Sequence, residues 1–111
     1  MDRVLLSRIE NAINEFCRLL RERLGRNLVD IRLFGSVARG TFTAESDIDI
    51  LVVLHDEDRL SRETVIEAAV DINLEYDVVI SPVIMSMRHY SDPLLRETLF
   101  YRSIQGEGVS L

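Results

Sequence analysis

Apolar residues recur at three- and four-residue steps between positions 3 and 24. Leu6, Ile9, Ile13, Phe16, Leu20 and Leu24 share one face, and charged residues fill much of the other. This predicts an amphipathic helix stopped by Gly25. The pattern then shortens. Residues 28–34 read Leu-Val-Asp-Ile-Arg-Leu-Phe, a strand broken by Gly35 and Ser36; residues 36–40 fit one helical turn and 41–46 a loop. Residues 47–54, Asp-Ile-Asp-Ile-Leu-Val-Val-Leu, form the best strand pattern in the chain. Its second half is apolar on both faces, which predicts a central place in a sheet. A polar connection, His55 to Leu60, leads to Ser61, the expected N-cap of a helix reaching about Glu75. Val65, Ile66, Ala69, Val70 and Ile72 are expected to turn inward. Residues 76–80, Tyr-Asp-Val-Val-Ile, predict a third strand, and a continuation through Val83-Ile84-Met85 would put Pro82 on an edge or at a bulge. Ser91-Asp92-Pro93 opens a last helix that ends before Gly106; the pattern assigns nothing to residues 107–111. The order α-β-α-β-α-β-α predicts an α+β fold: one small mixed sheet with helices mainly on one face, in a single domain spanning 1–111.

Composition narrows the function classes. The chain is 47% apolar with a net charge of −6, the mark of a folded protein whose average field repels phosphate backbones. Direct nucleic-acid binding is therefore not expected, although one local basic pocket is compatible with this charge. Cys17 is the only cysteine, so it cannot form an intramolecular disulfide, and it reads as a small core residue. No apolar run approaches the roughly 20 residues of a membrane span, and the N-terminal residues lack a long apolar stretch. The expectation is a cytoplasmic protein.

The chemistry is concentrated between Gly35 and Asp49. Asp47 and Asp49 lie two apart on a strand, so both point to one face, with Cα atoms roughly 6.6 Å apart. Two carboxylates so placed can converge on one cation or bridge two, and oxygen-only ligands suit Mg²⁺ or Mn²⁺ with substrate phosphates completing the shell. A lone Asp-x-Asp would read as a strand cap and an exposed strand residue. The Gly-Ser turn upstream changes that. Gly35 allows a phosphate oxygen close to the backbone, and the following N–H groups and the Ser36 hydroxyl can donate to it. Arg39 is either a solvated loop arginine or a bidentate phosphate ligand. Asp77 is either a third metal ligand on the third strand, facing with Val79 and Ser81, or an exposed residue in the turn before it.

Gly-Ser at 35–36, Ala-Arg-Gly at 38–40, Ser-Asp-x-Asp at 46–49 and apolar-Asp-apolar at 76–78 together resemble the minimal nucleotidyltransferases of the DNA polymerase β-type superfamily. The ending, Ser103 to Val109, is also similar to the close of these small proteins. The resemblance implies the nucleotidyltransferase fold and an ATP-using, Mg²⁺-dependent (or Mn²⁺-dependent) enzyme. In it Asp47, Asp49 and Asp77 would be the catalytic metal ligands, and Gly35, Ser36, Arg39 and Ser46 would hold the triphosphate. Asp77 would also act as base toward the acceptor hydroxyl. One departure bears on Asp77: some members with a Ser-Pro third strand, as at 81–82 here, lack a clear third carboxylate.

The chain is too short for the accessory domain that larger relatives use to bind an acceptor, which implies an acceptor site completed by another chain. The resemblance extends to antitoxins partnered by all-helical HEPN-domain proteins, and so implies a hetero-oligomer in which AMP is transferred to a tyrosine of the partner. Two rival readings stand beside this one. A non-catalytic antitoxin would neutralise its partner by occupancy. A small-molecule nucleotidyltransferase would modify a compound such as an aminoglycoside.

Overall fold

The helical period of residues 3–24 is realised as one helix, α1 (Arg3–Leu24), in the computed structural model, which describes residues 3–111. Ile9, Ala12, Ile13, Phe16, Cys17 and Leu20 are its buried stripe. Burial pushes the Cys17 thiol above its usual pKa, as expected for a core cysteine. A short 3₁₀ turn at Gly25–Asn27 leads to β1 (Leu28–Phe34), α2 (Gly35–Arg39) and β2 (Ile48–Leu54). Then follow α3 (Arg59–Tyr76), β3 (Ile80–Ser86), α4 (Met87–Tyr90), α5 (Pro93–Arg96), α6 (Leu99–Glu107) and the short β4 (Val109–Ser110).

The sheet order is β3-β2-β1-β4. β1 pairs antiparallel with β2 and β4, while β2 and β3 are parallel, so the sheet is mixed. β2 lies between two neighbours, as its apolar run predicts. Pro82 lies in β3, the edge strand, where a missing N–H costs least. Strand alternation splits β2 between two cores. Ile48, Ile50, Val52 and Leu54 pack with Ile31, Leu33 and Ile80 against α1 and α3. Leu51 and Val53 pack with Met85 and Ile104 on the opposite face, flanked by Phe34, Val83, Tyr90 and Phe100. The two long helices thus take one face and the short C-terminal helices the other. Among the described residues no helix is long and apolar enough to cross a membrane.

Three local expectations are corrected. First, α3 is capped by Asp58, not Ser61: Asp58 Oδ1 accepts from the Ser61 N–H at 2.8 Å, and the Ser61 hydroxyl donates to Oδ2 at 3.1 Å. A carboxylate accepting two bonds at the helix start outcompetes a hydroxyl three residues later. Second, Ile66 and Val70 are not inward. They are about half exposed and form an outer stripe with Leu74, because Val65, Ala68, Ala69 and Ile72 already fill the contact with α1. Third, the last helix is split into two, α5 and α6, the second running past Gly106, and a further short helix, α4, precedes them. Ser86, Asp92 and Thr98 each accept a bond from a backbone N–H two or three residues on, and each starts one of these helices.

The central strand sets the stability of this arrangement. Ile50 is fully buried in β2. Ile50→Ala is expected to cost about 2–5 kcal/mol, a large fraction of the roughly 5–15 kcal/mol that holds a typical domain folded. The midpoint of urea unfolding, read at unchanged slope, checks this.

Candidate functional site

Asp49 is the one residue of β2 that is not buried. A carboxylate inside the most enclosed strand of a sheet needs space and partners. The space comes from Gly35. Asp49 is the register partner of Phe34, and the backbone turns directly after Phe34 at Gly35, in the left-handed region at φ 74°. A β-carbon on Gly35 would overlap the Asp49 carboxylate oxygen and lie 3.1 Å from its Cγ. Glycine is therefore required twice, by the backbone angle and by the carboxylate lying over it.

From Gly35 the chain makes the single short helix α2. Gly40, at φ 76°, ends it by donating its N–H to the Val37 carbonyl at 3.2 Å, and Thr41 N–H donates to the Ser36 carbonyl at 3.0 Å. The loop then closes on itself. Ser46 Oγ accepts from Thr43 N–H at 2.8 Å, and Ser46 N–H donates to the Thr43 carbonyl at 3.1 Å. The Ser46 hydroxyl thus builds the loop that delivers Asp47. Asp47 is exposed and Asp49 half-buried.

The electrostatics tie these residues together. Burial pushes the Asp49 carboxyl above its usual pKa, the Asp47 charge adds to this, and the Arg39 guanidinium opposes it. Asp47, Asp49 and Arg39 therefore share one field at the open ends of β1 and β2. Arg39 is anchored by an ion pair from its Nη1 to Glu107 at 3.0 Å.

This raised pKa carries a sign that can be tested. The folded state binds the Asp49 proton more tightly than the unfolded chain does. The stability it contributes is present at low pH and lost as pH rises through the folded value. Without metal, Asp49→Asn is therefore expected to melt higher than the parent at pH 7. That advantage should shrink as pH falls into the range where Asp49 protonates, in thermal melts across a pH series.

Asp77 lies beside the loop that carries Ser46, lining one cavity with Ala44, Glu45 and Ser46, but it is not on a strand. The strand expected at 76–80 is not formed; β3 begins at Ile80. Tyr76 continues the buried stripe of α3, and Asp77 is the helix C-cap, in the left-handed conformation at φ 53°. The Asn73 side chain sets the strand start, accepting from Ile80 N–H at 2.7 Å. The Asp77 carboxylate is 97% exposed and pairs with Arg8 at 3.6 Å. Among the described residues no three His, Cys, Asp or Glu side chains come close enough to hold a metal ion together. Asp77 is thus not gathered with Asp47 and Asp49. The β3 residue opposite Asp49 in the parallel register is Ser81, on the same face. The sequence carried a signal for this. Val65, Ala69, Ile72 and Tyr76 keep helical spacing, which extends the helix through 76 and moves the strand downstream.

A divalent cation fits what is present. Two carboxylates close enough to raise the proton affinity of one are short of positive charge, and their donors are all oxygen. Magnesium is commonly held by one or two carboxylates plus substrate phosphates, so a third protein ligand is not needed to bind it.

A sequence profile of the nucleotidyltransferase domain family matches residues 10–105. A candidate protein adenylyltransferase of Methanocaldococcus jannaschii is 35% identical over 99 residues, covering 89% of this chain and 93% of its own. A second such protein from the same organism is 37% identical over 73 residues, covering 65% and 74%. Among solved structures, a chain from a toxin-antitoxin crystal structure with AMP-PNP shares 28% identity at a TM-score of 0.59, with 87% of this chain and 69% of that one covered. A candidate minimal nucleotidyltransferase superposes with a TM-score of 0.59 at 25% identity, covering 92% of this chain and 94% of its own.

Proposed function

Because the chain belongs to the nucleotidyltransferase domain family, we propose that it transfers AMP from ATP to a hydroxyl of a partner protein and releases pyrophosphate. The observation that carries this reading is the joint construction of the site: the Gly35 turn is shaped around the Asp49 carboxylate, so phosphate cradle and carboxylate pair form one unit. Gly35 and Ser36 meet the triphosphate, Arg39 offers it a planar fork, and Ser46 shapes the loop that presents Asp47. Asp47 and Asp49 would hold a magnesium ion, which when bound supplies charge neutralisation on the triphosphate. The acceptor oxygen bonds to the α-phosphorus, the bond to the bridging oxygen of the β-phosphate breaks, and pyrophosphate leaves in line. Among the described residues no third carboxylate is clustered with the pair, so the hydroxyl proton is assigned to solvent in this reading. Holding the reactants in register supplies much of the acceleration.

The acceptor we infer is a tyrosine of a helical HEPN-type partner. Support comes from similarity to proteins named as protein adenylyltransferases and to a chain of a toxin-antitoxin complex. The ungathered Asp77 favours one second reading, a module that binds its partner without modifying it. Incubation with labelled ATP, Mg²⁺ and a HEPN-type protein from the same organism, with an aminoglycoside in a parallel reaction, followed by mass spectrometry, separates the two. An AMP adduct on a tyrosine supports transfer. A stable complex without an adduct supports the binding module, and an adduct on an added aminoglycoside but not on protein would overturn the choice of acceptor.

A further inference from the structure

The chain closes on Glu107-Gly108-Val109, and each of these residues has a different structural task. Val109 and Ser110 pair with Leu33 and Arg32, so the tail adds β4 to the edge of β1. The Gly108 N–H donates to the Ile104 carbonyl at 2.8 Å, and a β-carbon at 108 would overlap that same carbonyl. The exit from α6 is thus open only to glycine. Glu107 is fixed between a helix that has just ended and a strand that is about to begin. Its Oε2 accepts from Arg39 Nη1 at 3.0 Å and from the Ser103 hydroxyl at 3.3 Å.

As a stabilising contact this pair is weak, because the Arg39 and Glu107 side chains are 44% and 42% exposed. Its effect is geometric. A half-exposed arginine alone samples many rotamers, and ordering it on a ligand costs binding free energy. The contact with Glu107 occupies one terminal nitrogen and leaves the Nε–Nη2 edge of the guanidinium, the edge that matches two phosphate oxygens.

We propose that Glu107 is a positioning residue that holds Arg39 ready for the triphosphate, and that the Gly108 exit and β4 serve to fix Glu107. This rests on the reading of Gly35–Asp49 as a triphosphate site.

The test is a double-mutant cycle on the full chain, with the Kd for AMP-PNP in Mg²⁺ measured by calorimetry. Glu107→Gln is expected to raise Kd about two- to fivefold, the scale of a half-exposed ion pair. Arg39→Ala is expected to raise it about tenfold or more, the scale of charged hydrogen bonds lost to a phosphate. In the Arg39→Ala background, Glu107→Gln should weaken binding no further, since the loss of its negative charge near a triphosphate acts only toward tighter binding. Glu107→Asp should recover part of the loss. A role confined to holding the fold together would weaken binding in both backgrounds and lower the melting temperature with it. Three results overturn the proposal: equal Kd for parent and Glu107→Gln, tighter binding by Glu107→Gln in the parent background, or additive losses in the cycle. A parent that fails to bind AMP-PNP removes the triphosphate reading itself, which separates that failure from the failure of Glu107 alone.

Discussion

Replacing Asp47 and Asp49 together with asparagine is expected to lower AMP transfer by about a thousandfold or more, because several kcal/mol of charge stabilisation depends on the cation these carboxylates would hold. The fold should be unaffected. Asparagine nearly matches the shape of aspartate, Asp47 is exposed, and Asp49 is a charge that burial and its neighbour both disfavour. The double variant should therefore melt at or above the parent temperature while its activity disappears. Residual activity within tenfold of the parent would show that the pair does not hold the cation. A lower melting temperature would show that the pair stabilises the metal-free fold, against the electrostatic argument. Measuring AMP-PNP affinity with and without Mg²⁺ adds a check that needs no acceptor. The Mg²⁺ dependence should vanish in the double variant, since affinity linked to the ion requires its ligands.

Gly35→Ala is the second large effect, and Gly40→Ala is its internal control. Both glycines sit in the left-handed region, at φ 74° and 76°. Each alanine should cost about 1–2 kcal/mol of stability for that backbone alone. The positions differ in what surrounds them. Nothing lies within 4 Å of a β-carbon built on Gly40, whereas one on Gly35 would overlap the Asp49 carboxylate. Only Gly35→Ala pushes the proposed metal ligand Asp49 aside, and a displacement of about 1 Å in a reacting group can cost about a hundredfold in rate. Gly40→Ala is thus expected to unfold at lower denaturant with transfer largely kept. Gly35→Ala should lose a similar amount of stability and about a hundredfold in transfer. Equal losses of transfer in the two variants would mean that the Gly35–Asp49 contact does not shape the site.

How much of this was legible from the residues depends on how local each determinant is. The amphipathic period of α1 and the two strands flanking the Gly-Ser turn follow from spacing within each segment, and the structure forms all three. The expectation that Asp47 and Asp49 share one side rested on strand alternation, but β2 begins at Ile48, so the loop and not the strand presents Asp47. The requirement for glycine at 35 was readable as a close backbone approach. Its second cause, the carboxylate lying over it, was not, because Asp49 arrives from a different strand. The boundary between α3 and β3 was misplaced for a related reason. Tyr-Asp-Val-Val-Ile has strong strand propensity, but Tyr76 has a hydrophobic seat on the helix side of the sheet and the Asn73 side chain bonds Ile80. Tertiary contact overrode local preference, and Asp77 went with the helix.

The residues alone determined which chemistry is possible: a glycine turn, two carboxylates two positions apart and an arginine within fifteen positions, all legible over a few residues. Only the tertiary structure decided how that chemistry is completed. Strand register put Ser81 opposite Asp49, a helix cap carried Asp77 out to Arg8, and the C-terminal strand brought Glu107 to Arg39 across 68 positions. Pairings of that kind depend on how distant segments share one sheet and two cores, and no short stretch of residues encodes them.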